Sequence, residues 1–133
     1  MIGLMAKIKQ PRPTGAELEI LRVLWQRDAC TVRDVFDALN KSKPTGYTTV
    51  LKLMQIMTEK GLVRRDEKER AHVYSARVPQ EQTQRQMVRD LLRRAFDDSA
   101  SQLVMQALAS KKASPEELAQ IRQLLDAYER GER

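Results

Sequence analysis

Residues 44–78 read PTGYTTVLKLMQIMTEKGLVRRDEKERAHVYSARV. The first half is helical in pattern. Val50, Met54 and Met57 recur at i, i+4 and i+7 and point inward, with Leu51 and Leu53 beside them; Thr48, Lys52, Gln55 and Glu59 share the opposite side. Gly61 ends the helix, since glycine takes the left-handed conformation without a side-chain clash. Two strand-like runs follow, Leu62-Val63-Arg64-Arg65-Asp66 and Ala71-His72-Val73-Tyr74-Ser75-Ala76-Arg77, about a charged turn, Glu67-Lys68-Glu69-Arg70. Alternation along the strands is expected to turn Val63 and Val73 inward, with Arg65 and Lys68 outward.

A helix followed by a basic hairpin is the order of a winged helix-turn-helix, a unit that sets one helix in a major groove and lays a cationic hairpin along phosphates. The preceding chain supplies the other two helices. Thr14-Gly15-Ala16-Glu17 is a capping box, in which the Thr hydroxyl and the Glu carboxylate satisfy each other's free amides, and Leu18, Leu21, Leu24 and Trp25 follow at helical spacing. Thr31-Val32-Arg33-Asp34 opens the second helix, with Val32, Val35, Phe36 and Leu39 on its buried side, and Lys41-Ser42-Lys43-Pro44 breaks it.

The charge is placed accordingly. The 133-residue chain carries +6, and residues 1–78 hold 15 Lys/Arg against 9 Asp/Glu, whereas residues 79–133 hold 9 of each. The whole excess sits in the half with the helix and hairpin, which points that half towards a polyanion. Aromatic residues make up only 5%, too few for a platform that stacks single-stranded bases. No apolar run approaches the ~20 residues of a membrane helix, and the start lacks the apolar core of a secretory signal, so a cytoplasmic protein without membrane insertion is expected. The single cysteine, Cys30, cannot form an intramolecular disulfide, as suits a reducing compartment.

After Val78 the character changes. Pro79 restarts a helix; Met87, Val88, Leu91, Leu92, Ala95 and Phe96 form an apolar stripe that Asp97-Asp98-Ser99 interrupts. Leu103, Val104, Ala107 and Leu108 mark another helix, and Ser114-Pro115-Glu116-Glu117 starts a last one carrying Leu118, Ile121, Leu124, Leu125 and Tyr128. Three short amphipathic helices make a thin bundle that buries little surface alone. The expected organisation is a flexible basic arm over residues 1–13 (Lys7, Lys9, Arg12), a winged-helix domain over 14–78, and a helical dimerisation domain over 79–133, with Met87, Leu91, Leu92, Phe96, Leu103, Leu108, Leu118, Ile121 and Leu125 at the dimer contact. Closed two-fold dimers are the commonest oligomers; the alternative is a monomer whose tail folds back on residues 1–78.

Thr48, Thr49, Lys52 and Gln55 are the candidates for base contacts: Thr can touch a thymine methyl, Lys can bond guanine O6/N7 and Gln adenine N6/N7. Tyr47, Arg64, Arg65, Lys68 and Arg70 are the candidates for the phosphate backbone, diluted by Asp66, Glu67 and Glu69. A winged helix that docks another protein is the rival reading. An enzyme is not expected: one histidine, His72, has no partnered nucleophile, and Cys30 reads as a buried structural thiol. One Cys and one His 42 positions apart make no metal site, and five scattered glycines make no phosphate loop, so no cofactor is expected.

These residues resemble the penicillinase-repressor family of bacterial transcription regulators, the BlaI/MecI/CopY type. The likeness spans about residues 14–128. It rests on Glu19-Ile20-Leu21 with Leu24-Trp25, on Thr31-Val32-Arg33-Asp34-Val35, on Gly46-Tyr47-Thr48-Thr49-Val50-Leu51-Lys52-Leu53-Met54, and on Glu59-Lys60-Gly61-Leu62-Val63 with Tyr74-Ser75-Ala76. The resemblance implies a homodimer that blocks transcription from a palindromic double-stranded operator. In the β-lactam branch it also implies a membrane-bound sensor whose signal cuts the repressor in its dimerisation domain. That branch cuts an Asn-Phe bond, and the aligned pair here is Gln106-Ala107. The copper branch uses paired cysteines near the C-terminus, and this chain has none after Cys30.

Overall fold

A computed structural model describes residues 11–68 and 70–132; the expected basic arm lies outside these as far as residue 10, and so does Glu69 of the hairpin turn. The elements in order are α1 (Gly15–Arg27), β1 (Ala29–Cys30), α2 (Val32–Asn40), α3 (Tyr47–Lys60), β2 (Val63–Asp66), β3 (Val73–Ala76), α4 (Gln80–Ala95), α5 (Ala100–Ser110) and α6 (Pro115–Glu129). The fold is mainly helical, with a winged helix-turn-helix in its first half.

Local chemistry sets the helix ends. The Thr14 hydroxyl accepts from the Glu17 amide at 3.2 Å, and the Glu17 carboxylate accepts from the Thr14 amide at 2.9 Å. Thr31 and Asp34 repeat the box at 3.1 and 3.0 Å. Ser114 caps α6 with Pro115 at its first position. Gly61 stops α3 at φ 83°, and the Leu62 amide turns back to the Met57 carbonyl at 2.9 Å. Asp97 and Asp98, at φ 50° and 61°, end the run of α4 in left-handed backbone that aspartate tolerates better than most residues. α4 itself begins at Gln80, one residue after the proline expected to open it.

α1, α2 and α3 close on a small antiparallel sheet of order β1-β3-β2. Ile20, Leu21 and Leu24 of α1, Val35 of α2, and Val50, Met54 and Met57 of α3 meet Leu62, Val63 and Tyr74 in one buried core. Trp25 is only half-buried, and its indole N–H donates to the Val78 carbonyl at 2.9 Å, tying α1 to the end of the wing. The sequence reading lacked β1, which pairs Ala29 with Ser75 and Cys30 with Tyr74.

The hairpin register corrects the expected facing of its residues. Val63 pairs with Ala76 and Arg65 with Tyr74, so these four share one side of the sheet. Tyr74 is the buried member of β3, and Val73 lies on the opposite side from Val63. Arg65 shares the side of Val63 in register, yet it is exposed, as expected, and so is Lys68. His72 precedes β3 in the turn and is exposed.

The chain divides into two compact units, one ending at Gln86 and one beginning at Met87. In the first, Thr83 of α4 is buried and its hydroxyl donates to the Pro79 carbonyl at 3.0 Å. In the second, no described residue is buried.

Candidate nucleic-acid interface

The inner side of α3 is sealed: Val50, Met54 and Met57 have no exposed surface. The same 3.6-residue period that buries them leaves Thr48, Thr49, Lys52 and Gln55 exposed together. Tyr47 begins the helix, its ring meeting that of Phe36 edge-on at 5.4 Å and 68° while its surface stays 41% exposed.

The turn leading into α3 is tied by a residue absent from the sequence reading. The Asn40 side-chain amide donates to the Phe36 carbonyl at 2.9 Å and to the Thr45 carbonyl at 3.1 Å, and its oxygen accepts from the Thr45 amide at 3.0 Å. One side chain thus holds both backbone groups of Thr45, two residues before α3 begins. An Asn next to a Lys-Ser-Lys-Pro break is the signal that marks it, because Asn readily replaces backbone partners at helix ends.

The far end of α3 is anchored as well. Lys60 Nζ lies 2.7 Å from the Glu17 carboxylate, whose side chain is 3% exposed, and it also donates to the Arg12 carbonyl at 3.2 Å. Burial alone raises the Glu17 pKa; the bond and charge of Lys60 with the Thr14 amide outweigh it and hold the carboxyl below its ordinary range.

The wing cations divide. Arg64, Arg65, Lys68 and Arg70 are all exposed, and it is their partners that differ. The Lys68 amide donates to Asp66 Oδ1 at 2.9 Å, which shapes the turn and leaves the ammonium outside. Arg65 instead pairs with Glu67, and its guanidinium is held charged first by the Tyr74 side chain and then by that carboxylate. Cys30 is buried, and burial followed by nearby Asp34 pushes its thiol up, away from nucleophilic use.

In the second unit Met87, Leu91, Leu108 and Leu125 stand between 40% and 60% exposed. Leu92, Phe96, Leu103, Leu118 and Ile121 are half-buried, and Gln106 and Ala107 are exposed on α5. Among the described residues no three His, Cys, Asp or Glu converge as a metal site would, and no helix is long and apolar enough to cross a membrane.

Residues 13–127 match the family model described as penicillinase repressor. The chain is similar to the penicillinase repressor of Bacillus licheniformis, 22% identical over 120 residues that cover 90% of this chain and 94% of that protein. It is also similar to the transcriptional regulator BlaI of Mycobacterium tuberculosis, 30% identical over 102 residues, 76% of this chain and 72% of the relative. Among solved structures, Bacillus licheniformis BlaI in its monomeric form in complex with the blaP half-operator is 23% identical, with a TM-score of 0.49 over 55% of this chain and 89% of that one.

Proposed function

The chain belongs to the penicillinase repressor family, and from that membership we propose that it is a dimeric, cytoplasmic, sequence-specific DNA-binding repressor acting on a palindromic operator. Thr48, Thr49, Lys52 and Gln55 read base edges; Tyr47, Arg64, Lys68 and Arg70 hold phosphates. Arg65, exposed as well, pairs with Glu67 within the wing and lies within reach of the same phosphates. The observation that carries the reading is the pairing of a polar, exposed side of α3 with a buried side that fixes it, next to four exposed wing cations.

Dimerisation is supported by the second unit, whose three helices leave Met87, Leu91, Val104, Leu108, Leu124 and Leu125 in water. Apolar surface of that extent on a soluble chain marks an interaction site. A second copy offers the same surface and closes the contact on a two-fold axis. The two heads then span half-sites about one helical turn of DNA apart, or a multiple of it.

Relief of repression follows from the same geometry. Gln106 and Ala107 lie in the exposed helix α5, so cutting between them, under the control of a membrane-bound sensor, splits the apolar surface and leaves heads that bind singly. Selection of bound sequences from random duplex DNA tests the core of the proposal. An inverted-repeat consensus with steep salt dependence is expected; binding that shows neither sequence preference nor salt dependence favours protein docking instead and overturns it. Operator affinity unchanged by cleavage at Gln106-Ala107 removes the release step alone.

A further inference from the structure

We propose that a cleft between α2, α3 and the wing receives one backbone phosphate of DNA, and that His72 on its rim takes up a proton when the phosphate arrives, so that duplex affinity rises as pH falls. The inference rests on the DNA-binding reading above and extends it by joining two of its phosphate contacts, Tyr47 and Arg70, to three further residues, Thr31, Arg33 and His72. The cleft, of about 270 Å³, brings Thr31 and Arg33 from the start of α2 together with Tyr47 of α3 and with Arg70 and His72 of the hairpin turn. Its lining includes Arg33, Arg70 and His72 and, among the described residues, no Asp or Glu.

Among the described residues, the acids nearest the cleft are each engaged. Asp34 accepts from the Thr31 amide at 3.0 Å, Asp66 from the Lys68 amide at 2.9 Å, and Glu67 pairs with Arg65. Asp37 stands 3.6 Å from Arg33, a long pair with both side chains more than half exposed, which a phosphate can displace. Arg33 is already positioned: its guanidinium lies 5.5 Å from the centroid of the Phe36 ring, the ring that Tyr47 meets edge-on. A cation and a phenol are thus set against one aromatic side chain, so little rotamer freedom is lost when an anion binds between α2 and the wing.

A phosphate has oxygens to accept from Arg33, Arg70, the Tyr47 and Thr31 hydroxyls, and a protonated imidazole. Imidazole is the side chain that ordinarily changes charge between pH 5 and 8, and a neighbouring anion favours its charged form. Binding that raises the imidazole pKa is strengthened below the free value, and the gain is lost as pH rises through the bound value.

His72 is the only histidine in the chain, so its imidazole resonances are an unambiguous reporter. The test follows them by NMR, and measures affinity for a random-sequence DNA duplex at low salt, at pH 6 and pH 8, for the full chain and for His72→Gln and His72→Arg. The wild type is expected to bind about three- to fivefold more tightly at pH 6. His72→Gln should keep less than about a twofold dependence, and His72→Arg should bind tightly at both values. The duplex should move the imidazole titration upward, whereas inorganic phosphate at the same phosphate concentration should not, since a free anion lacks the flanking α3 and wing contacts. An equal pH dependence in the wild type and His72→Gln overturns the site while leaving DNA binding intact. A full shift with inorganic phosphate reassigns the cleft to free anions and overturns the DNA assignment. Absence of duplex binding at either pH overturns both this inference and the function it rests on.

Discussion

Lys52 and Arg64 stand for the two kinds of contact proposed within one interface. Lys52 projects from the exposed side of α3 and Arg64 from the exposed side of β2. Lys52→Ala is expected to change preference at one or two operator positions, costing about 1–3 kcal/mol there. Arg64→Ala is expected to weaken all sequences alike and reduce the salt slope by about one. Binding-site selection and salt titration on both variants check this; identical behaviour removes the division into reading and holding residues. Arg65 shows where residue-level reading of the sequence ran out. Nothing in Arg64-Arg65 distinguishes the two side chains, and only the register, which sets Arg65 opposite Tyr74, gives one of two exposed arginines partners within the wing. Glu17 was legible as a cap and not as half of an ion pair, because Lys60 is 43 positions away. Its folded carboxyl titrates below the ordinary value of 4.5, so the stability it adds is complete above that value and is lost as pH falls through the lower folded one. Acid unfolding of the wild type and Glu17→Gln should therefore converge at low pH and diverge near neutrality; a constant difference at all pH values contradicts this.

Helix ends decide the placement of α3 more than helix interiors do. Gly61 stands at φ 83° with no atom within 4 Å of the position a Cβ would take, so Gly61→Ala meets no clash and costs only backbone strain, about 1–2 kcal/mol. Thr31→Ala, which removes one half of the box at α2, should cost about 1 kcal/mol. Urea unfolding measures both, and a Gly61→Ala loss near zero contradicts the strain account. These ends were readable because a cap needs only residues three apart, and because proline and glycine act through their own backbone. β1 was not readable: two residues carry no periodicity, and Ala29-Cys30 becomes a strand only through its pairing with β3. Of the expected inward pair, Val63 is buried and Val73 failed for a related reason. Facing depends on the parity set by the turn, and the observed register pairs Val63 with Ala76, three positions beyond Val73. The outward side of α3 was legible in full, whereas the Asn40 clasp and the cleft beside His72 depend on tertiary neighbours that no spacing rule supplies.

In the proposed dimer, affinity and assembly are coupled. Two heads joined through their tails gain from effective concentration, by about 10²–10⁴ when the spacing matches the site. Leu124→Glu places a charge on a side chain 58% exposed in the single chain, so it should leave the monomer folded while preventing association. Sedimentation equilibrium should then report a monomer, and operator affinity should fall by about that factor; a dimer with undiminished affinity contradicts the assignment of this surface. The lone sulfhydryl of the chain, Cys30, lies only in the head, 2% exposed, on the strand that pairs with Tyr74. A thiol-modifying reagent consequently keeps time for one event: it should label slowly while the heads stay closed, whether tails are joined, separated or cut, and quickly only when the head opens. Labelling kinetics followed through dissociation and cleavage would then tell derepression by loss of partnership from derepression by unfolding, with no probe added to the protein.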